Sequence, residues 1–461
     1  MSLTKVSYSM ITGAPINVFD YMTAAQIADV QANTYTLDVT TAFQAALDSG
    51  ASSIYVPAGT YKVSTLTIPG TVRQIEGVGA NRALATTIRF DTSTTATNGL
   101  LVSTGCSGLA ASNLSLQFRS GSYTNGIFID NDNHFQTWTN VTTDDSANPG
   151  SFRVANHWVI DNSCWSNVFH HCGAWGPDHA STIGIILNNS ANDMDFYSCR
   201  WLHCGIGVYL PGTSCEVQNF WGGEIASNVS YGVHIGNTSG TSAATLETLN
   251  FTGVYFEDQT IHIYQNCPDM KGLNIIGCRT SETAWDALLK LNQTTYTVKI
   301  FGGTYIRAGG GTGYLIDVNN KVIVDATIDN SFMFSSSAYI NQGAQQVAFR
   351  TNRIGGSPGQ TSYENLGILA QKDYNTTYSY ASKILDEYQG NAVYFATQER
   401  GHSVVWDAVA PGAGGSLFSG YAFKRGDVVW REDATASGNA GWMCVTAGTP
   451  GTWKAMANLA P

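Results

Sequence analysis

Short runs of alternating apolar and polar residues recur along most of the chain, each followed by a turn rich in Asn or Gly. The phrases include TNGIFIDN, ANHWVIDN, TIGIILNN, GIGVYLPG and YGVHIGN. The last apolar residue of each phrase serves as a marker, and the markers are Ile129, Ile160, Leu187, Leu210, Ile235, Ile263, Leu291 and Val318. Their spacing of 23–31 residues predicts a parallel β-solenoid whose successive rungs stack about 4.8 Å apart.

The chain ahead of the repeats has a helical pattern. Residues 41–50, TAFQAALDSG, place their apolar side chains on one face, and residues 23–30, TAAQIADV, predict a shorter helix. The apolar face of the longer helix consists of Phe43, Ala46 and Leu47. Almost no helical period occurs between 51 and 345, so the sequence predicts an all-β architecture preceded by capping helices.

A second phrase follows each marker, in the forms FHHCGAW, FYSCRWL, FWGGEIA, FTGVYFED and IIGCRTSE. Its cysteines fall at one position, which predicts an inward stack of Cys172, Cys199 and Cys278. An asparagine follows five of the markers by two residues, and this spacing predicts an asparagine ladder along one turn. The ladder would consist of Asn131, Asn162, Asn189, Asn237 and Asn320.

Composition and charge exclude several classes of protein function. Charged residues are only 12% of the chain and the formal net charge is −11, with no basic run, which argues against nucleic-acid binding. No apolar stretch approaches the roughly 20 residues that span a membrane, and the N-terminus lacks the apolar core of a secretory signal. The nine cysteines are sparse and odd in number, which indicates reduced thiols in a protein made in a cytosol.

Residues 15–90 resemble the start of the pectate-lyase superfamily, and most closely the tailspike proteins of tailed bacteriophages. The shared phrase V-P-x-G-x-Y is present as Val56, Pro57, Gly59 and Tyr61, and Gly77 and Gly79 match the next turn. The Gly-Asp-Gly…Asp-Asp segment common in that family is replaced here by 22–39. The resemblance implies a right-handed parallel β-helix with a capping helix, a homotrimer, and binding and cleavage of bacterial surface polysaccharide.

The C-terminal segment KRGDVVWREDATASGNAGWMCVTAGTPGTWKA resembles the small β modules that end phage fibres and spikes. The chain is therefore expected to comprise a virion-attachment segment that docks on another phage tail protein, capping helices, a substrate-binding β-helix, a linker or trimerisation region, and a β module. Their expected bounds are 1–22, 23–50, 51–345, 346–400 and 401–461. Such a spike is made in the host cytoplasm and acts in the virion tail at the bacterial surface.

Polysaccharide hydrolysis requires two carboxyl groups at a set separation, and a solenoid spaces outward residues by whole rungs. The second phrase aligns Arg200, Glu224, Tyr255, Arg279 and Thr304 at one outward position. Glu224 with Glu257 or Asp258 is the predicted acid and base pair. The predicted substrate-binding residues are Arg200, Trp201, Trp221, Tyr255, Arg279 and Glu282. The alternative interpretation is a solvated outer face with incidental ion pairs.

Other polar clusters have structural explanations. Asp130 with Asp132, and Asp193 with Asp195, are interpreted as turn residues. The histidines and cysteines between 170 and 204 match no tight metal-binding spacing, so the sequence predicts neither a metal nor another cofactor. The function predicted is a glycoside hydrolase that degrades capsule or O-antigen. A polysaccharide lyase on the same fold and a receptor-binding spike without catalysis remain alternatives.

Overall fold

A computed structural model describes 14–79, 85–147, 149–188, 190–211, 215–237, 245–282, 286–293, 295–307, 314–317, 323–334, 340–341, 395–397, 402–407, 423, 425–431, 438–449 and 451–457. The chain divides into two compact units, Met1–Thr376 and Thr377–Pro461. The first unit begins with a 3-10 turn at Val18–Tyr21 and two helices, α1 (Ala24–Ala32) and α2 (Thr40–Leu47). None of the described helices is long and apolar enough to cross a membrane.

The strands of the first unit all pair in parallel within one 28-stranded sheet. They are β1 (Ile16–Asn17), β2 (Ser53–Tyr55), β3 (Gly59–Val63), β4 (Leu66–Ile68), β5 (Gln74–Glu76), β6 (Thr86–Val102), β7 (Ala110–Ile129), β8 (Thr137–Asp144), β9 (Val154–Ile160), β10 (Val168–His170), β11 (Gly173–Trp175), β12 (Ile183–Leu187), β13 (Met194–Tyr197), β14 (Arg200–Leu202), β15 (Ile206–Leu210), β16 (Cys215–Trp221), β17 (Glu224–Ala226), β18 (Tyr231–Ile235), β19 (Thr245–Thr252), β20 (Tyr255–Glu257), β21 (Ile261–Gln265), β22 (Asp269–Ile276), β23 (Arg279–Glu282), β24 (Ala287–Leu291), β25 (Thr295–Arg307), β26 (Tyr314–Asp317), β27 (Ile323–Phe334) and β28 (Ile340–Asn341).

Each middle rung contributes one strand to each of three faces. The first face contains β10, β13, β16, β19 and β22, the second contains β11, β14, β17, β20 and β23, and the third contains β12, β15, β18, β21 and β24. Each strand pairs with the equivalent strand of the next rung. The predicted parallel β-solenoid is confirmed.

The helices cover the open end of the first rung, as predicted. Gln44 of α2 bonds Thr67 of β4 twice, accepting from its N–H and donating to its carbonyl, both at 2.9 Å. These bonds satisfy backbone groups that an uncovered edge strand would expose. The V-P-x-G-x-Y phrase belongs to the same cap, because a Cβ on Gly59 would lie 2.6 Å from a methyl carbon of Val30 in α1.

Inward side chains stack from rung to rung. The rings of Phe169, Phe196, Phe220 and Phe251 on the first face follow one another at centroid distances of 4.8, 4.6 and 5.0 Å. Cys172, Cys199 and Cys278 are buried and free, as the sequence indicates. Burial raises the pKa of the Cys172 thiol to about 12, so the thiol stays protonated and serves as a small apolar filler.

Two details differ from the sequence prediction. Ile235 pairs with Gln265 and not with Ile263, so the marker of that rung is displaced by two residues, which leaves the inward face unchanged. Asparagine ladders exist, but at other positions: Asn250 donates to Asn219 and Asn274 to Asn250, both at 2.7 Å.

The predicted ladder position has different bonding. The side-chain oxygen of Asn131 has no hydrogen-bond partner. Asn237 accepts from the side chain of Asn266 through its backbone carbonyl at 2.6 Å, and the backbone carbonyl of Asn162 accepts from the Cys164 thiol at 3.7 Å. Asn189 and Asn320 lie outside the described residues.

The second unit contains a 5-stranded sheet with parallel and antiparallel pairing. Its strands are β29 (Phe395–Thr397), β30 (His402–Asp407), β31 (Val428–Arg431), β32 (Gly441–Thr446) and β33 (Thr452–Ala455). A small core of Phe423, Val429 and Cys444 packs against Trp442 and Trp453. The predicted C-terminal β module is thus present. Of the expected linker region 346–400, only the strand Phe395–Thr397 belongs to the described residues.

Candidate functional site

The first position of the second-face strands forms one column along the solenoid. Arg200 pairs with Glu224, Glu224 with Tyr255, Tyr255 with Arg279, and Arg279 with Thr304. The alignment predicted from the repeats is confirmed by this register. The middle residues of the same strands point inward and are buried, so by strand alternation the column faces outward.

Opposite charges and an aromatic ring meet in this column. Arg200 Nε lies 3.6 Å from Glu224 Oε2, with 61% and 25% of the two side chains exposed. The guanidinium carbon of Arg279 lies 4.4 Å from the ring centroid of Tyr255. Solvated ion pairs of this kind add little to stability, so the column has no strong structural purpose.

Glu257 continues the site on the next rung. It follows Tyr255 by two residues in β20 and pairs with Ala226, so it projects from the same face as Glu224 but is displaced along the strand. One rung of about 4.8 Å and two residues of about 3.3 Å each put the two Cα atoms about 8 Å apart. Glu257 is half-buried.

Asp258 occupies the turn that follows β20. Its backbone is left-handed, with φ of 51°, and its side chain is exposed. The turn borders a cavity of about 340 Å³, lined by Ser227, Asn228, Val229, Asp258, Gln259 and Thr260. Glu257 directly precedes Asp258 in the chain but is not among the residues that line the cavity.

Trp221 lies across a tight turn from Glu224. It ends β16 with 40% of its surface exposed, and its indole N–H donates to Asp195 Oδ1 at 3.2 Å. Gly222 and Gly223 form the turn with φ of 63° and 83°. A Cβ on Gly223 would overlap the carbonyl oxygen of Cys199, so glycine is required for this close approach.

The prediction that Trp201 binds substrate is wrong. Trp201 is 1% exposed and lies in the interior, edge-on to Phe196 at 6.1 Å and to Trp158 at 6.5 Å. Because successive strand residues face opposite ways, the residue after outward Arg200 must point inward. Glu282 ends β23 in register with Arg307, but its side chain lies outside the described part of the structure.

The structure adds an aromatic column that the sequence did not indicate, and it corrects the interpretation of one acidic residue. Tyr197 stacks on Trp221 at 6.2 Å and on His170 at 4.9 Å, which makes an outward column on the first face. Asp195 lies in β13 and not in a turn, and its Oδ1 also accepts from Asn219 at 3.0 Å. A signal for this column is present in the sequence: in three of the second phrases, an aromatic residue directly precedes the turn residue. These aromatic residues are His170, Tyr197 and Trp221.

A histidine–aspartate pair lies apart from these two columns. His203 Nδ1 and Asp178 Oδ1 are 2.8 Å apart, and Trp175 stacks on the His203 ring at 6.2 Å. Trp175 and Asp178 are exposed. Within the described residues, no group of three His, Cys, Asp or Glu side chains is arranged to hold a metal ion.

Comparison with known proteins supports the fold. The sequence matches no protein-family model and no curated protein. The A-module of mannuronan C-5 epimerase AlgE4 from Azotobacter vinelandii is similar, with a TM-score of 0.53, 17% identity, and coverage of 72% of this chain and 99% of that one. For the AlgE6 A-module of the same organism the TM-score is 0.51, the identity 15%, and the coverage 75% of this chain and 100% of that one.

The enzymatically active domain of bacteriophage CBA120 tailspike protein 2 also aligns, with a TM-score of 0.39 and 13% identity. That alignment covers 74% of this chain and 47% of the tailspike chain. At these identities the likeness of the two epimerase modules extends to the fold alone. The chain is thus a parallel β-solenoid protein with an outward column of charged and aromatic residues.

Proposed function

We propose that the protein is a phage tailspike that recognises and hydrolyses a bacterial surface polysaccharide, capsule or O-antigen, by cleavage within the polymer. The observation that supports this most is the outward column of Arg200, Glu224, Tyr255 and Arg279, with Glu257 one rung away. The two A-modules with TM-scores above 0.5 are named for action on mannuronan, which agrees with a polysaccharide substrate.

Glu224 and Glu257 are the proposed catalytic pair. A Cα separation of about 8 Å between parallel outward side chains suits inverting hydrolysis, in which the carboxyl groups are about 6.5–9.5 Å apart to admit a water molecule. Glu224 is assigned as the base that activates water, with Arg200 Nε 3.6 Å from its Oε2. Glu257 is assigned as the acid that protonates the leaving oxygen, with Asp258 as the alternative acid.

Substrate is proposed to bind along the corner between the first and second faces. Exposed Trp221 and half-buried Tyr255 offer ring faces for sugar stacking, and Asp195 holds the indole of Trp221 in place. Arg200 and Arg279 would bind carboxylate or hydroxyl groups of the glycan, and Glu282 is proposed to join them. Because the chain as a whole carries a net charge of −11, an acidic polymer must be attracted by this local pair of arginines.

A lyase is the second candidate, favoured by the contact between Arg279 and Tyr255. In β-elimination a cation stabilises the charge that develops on a uronate carboxylate, and a phenol moves the proton. A spike that only binds glycan is the third candidate.

The proposal places the chain in the virion tail as a homotrimer, made in the host cytoplasm and acting outside the bacterial cell. The N-terminal segment 1–22 is proposed to dock on another tail protein, with 346–400 as a linker or trimerisation region and 401–461 as a terminal module. Deletion of 1–10 with normal incorporation into particles would exclude that docking role.

Size analysis of purified capsule and O-polysaccharide from a panel of hosts tests the proposed activity. Hydrolysis predicts short products without the ultraviolet absorbance of an unsaturated uronate. Products with that absorbance favour the lyase, and intact polymer that stays bound favours the non-catalytic spike. Intact polymer without binding across the panel would contradict all three.

A further inference from the structure

The connection between the second and third faces changes in length along the solenoid. Loops of nine and seven residues, 145–153 and 176–182, make this connection in two successive rungs. In the next three rungs the connection shortens to 203–205, 227–230 and 258–260. A connection of three or four residues cannot extend as far from the solenoid as one of seven or nine. The outer surface therefore steps down at the rung that contains 203–205.

The two long loops contact each other and border this step. The rings of Phe152 and His179, one from each loop, lie 4.9 Å apart. The backbone N–H of Asp178 donates to the carbonyl of His203 at 2.8 Å, which joins the second long loop to the first short connection. The long loops therefore form a side wall next to the row of short connections.

Three side chains meet at the step, and we call them the Trp175 cluster: Trp175, Asp178 and His203. His203 Nδ1 lies 2.8 Å from Asp178 Oδ1, and the Trp175 and His203 rings are within 15° of parallel. Trp175 is 40% exposed, and 35% of the His203 side chain and 57% of the Asp178 side chain are exposed. A polar pair as exposed as this one adds little to stability, so the fold alone does not require the cluster.

The cluster lies on the same corner of the solenoid as Asp258. Strands β14, β17 and β20 end in register, so the residues that follow them, His203, Ser227 and Asp258, occupy one position in three successive rungs. His203 is thus one rung from Ser227, which lines the cavity of about 340 Å³. It is two rungs, or about 10 Å, from Asp258. The cluster is therefore within reach of a polymer that occupies the proposed site.

The three side chains have the chemistry of a binding site for an uncharged sugar unit. The Asp178 carboxylate can only accept, so His203 Nδ1 donates to it, and Nε2 of the neutral ring can accept from a sugar hydroxyl. The exposed part of the Trp175 indole offers apolar surface to the ring carbons of a sugar. A sugar carboxylate would be repelled by Asp178, whereas Arg200 and Arg279 are suited to an acidic unit.

We propose that the Trp175 cluster is a further substrate-binding subsite, which binds a neutral, hydroxyl-rich sugar unit two rungs from Asp258. The inference rests on the proposed function and extends the substrate site across the second face to its other corner. It names the substrate class as a heteropolysaccharide whose repeat contains both an acidic and a neutral sugar. The cluster contributes to binding and takes no part in bond cleavage.

Steady-state kinetics of the full chain test the inference, with the capsule or O-polysaccharide that the wild type shortens as the probe. The variants are Trp175→Ala and His203→Asn, because asparagine tolerates the left-handed backbone of His203, whose φ is 58°. The matched control is Trp165→Ala on the corner between the third and first faces. That indole is 39% exposed and also stacks on a histidine, His134, at 4.3 Å.

The KM for polymer is expected to rise about 3–10-fold in both cluster variants with kcat unchanged, since the lost contact binds ground state and transition state alike. Trp165→Ala is expected to match the wild type. If the wild type binds polymer without cleaving it, the Kd gives the same comparison. Sugar analysis of the recognised polymer is expected to find an acidic and a neutral unit.

Unchanged KM in both Trp175→Ala and His203→Asn would overturn the inference, as would an equal rise in Trp165→Ala. A fall in kcat at constant KM, or a recognised polymer made of uronate alone, would also overturn it. Wild-type cleavage with unaffected cluster variants refutes this inference and leaves the proposed function standing. A wild type that neither shortens nor binds any polymer of the panel refutes both.

Discussion

The buried histidine His157 gives a quantitative test of the solenoid interior. It is fully buried in β9, its Nδ1 lies 3.0 Å from Thr143 Oγ1, and its Nε2 has no hydrogen-bond partner. Burial lowers the pKa of His157 to about 4, against the opposing influence of Asp144. The folded protein therefore keeps this ring neutral under conditions in which the unfolded chain, with a pKa near 6.5, takes up a proton.

The sign and size of the effect follow from proton linkage. Because the folded-state pKa is below the unfolded value, the contribution to stability is present above about pH 6.5 and is lost as pH falls towards 4. At pH 4.5 the loss is about 2–3 kcal/mol, since each pKa unit is worth about 1.4 kcal/mol. His234 and His262 act in the same direction, because burial lowers their pKa values to about 4 and about 3.

The assay compares wild type with His157→Gln by urea denaturation, followed by tryptophan fluorescence at pH 7 and pH 4.5. Glutamine keeps a group that can bond Thr143 but cannot gain a charge. The stability advantage of wild type over the variant should shrink by about 2–3 kcal/mol at the lower pH. The control is His171→Asn at an exposed turn position. An unchanged difference between wild type and His157→Gln at both pH values would refute the reasoning.

Two further predictions concern the interior stack and the turn beside the site. Phe196→Ala removes a ring stacked at 4.8 and 4.6 Å on its neighbours, so the free energy of unfolding should fall by about 3–5 kcal/mol in denaturation curves. Tyr296→Ala, at a residue 48% exposed, should change it by less than about 0.5 kcal/mol. Gly223→Ala should lower the melting temperature far more than Gly253→Ala, since both have positive φ but only at Gly223 would the added methyl group overlap a carbonyl oxygen. Equal effects of the two glycine variants would contradict the tight-turn explanation.

The sequence was sufficient to predict the solenoid because inward residues repeat with period two within strands and once per rung between them. The same regularity aligned Arg200, Glu224, Tyr255 and Arg279 correctly. The two-residue displacement at Gln265 did not disturb the fold, because an even shift preserves the face.

The candidate site was predicted less completely, for physical reasons. The indole of Trp201 suggests sugar stacking, but alternation next to outward Arg200 places this side chain inside the solenoid. The interpretation of Asp195 as a turn residue is wrong, because Asp195 lies within the strand Met194–Tyr197. The repeat did not indicate Tyr197, because a left-handed residue, Ser198, separates the first and second faces and interrupts the alternation. Trp221 and Glu224 come close together because of the tight turn at Gly222 and Gly223. The spacing of apolar residues does not predict the geometry of such a turn.

The rate of polysaccharide depolymerisation by carboxylate variants tests the central claim most directly. Size analysis of a polymer that the wild type cleaves should be repeated with Glu224→Gln, Glu257→Gln and the control Glu216→Gln, an exposed glutamate of β16 outside the column. Loss of a general acid or base predicts a fall of about 10²–10⁴ in rate for the first two variants, with polymer binding retained, and no change for the control. Undiminished cleavage by both Glu224→Gln and Glu257→Gln would contradict the assignment of this face as the catalytic site.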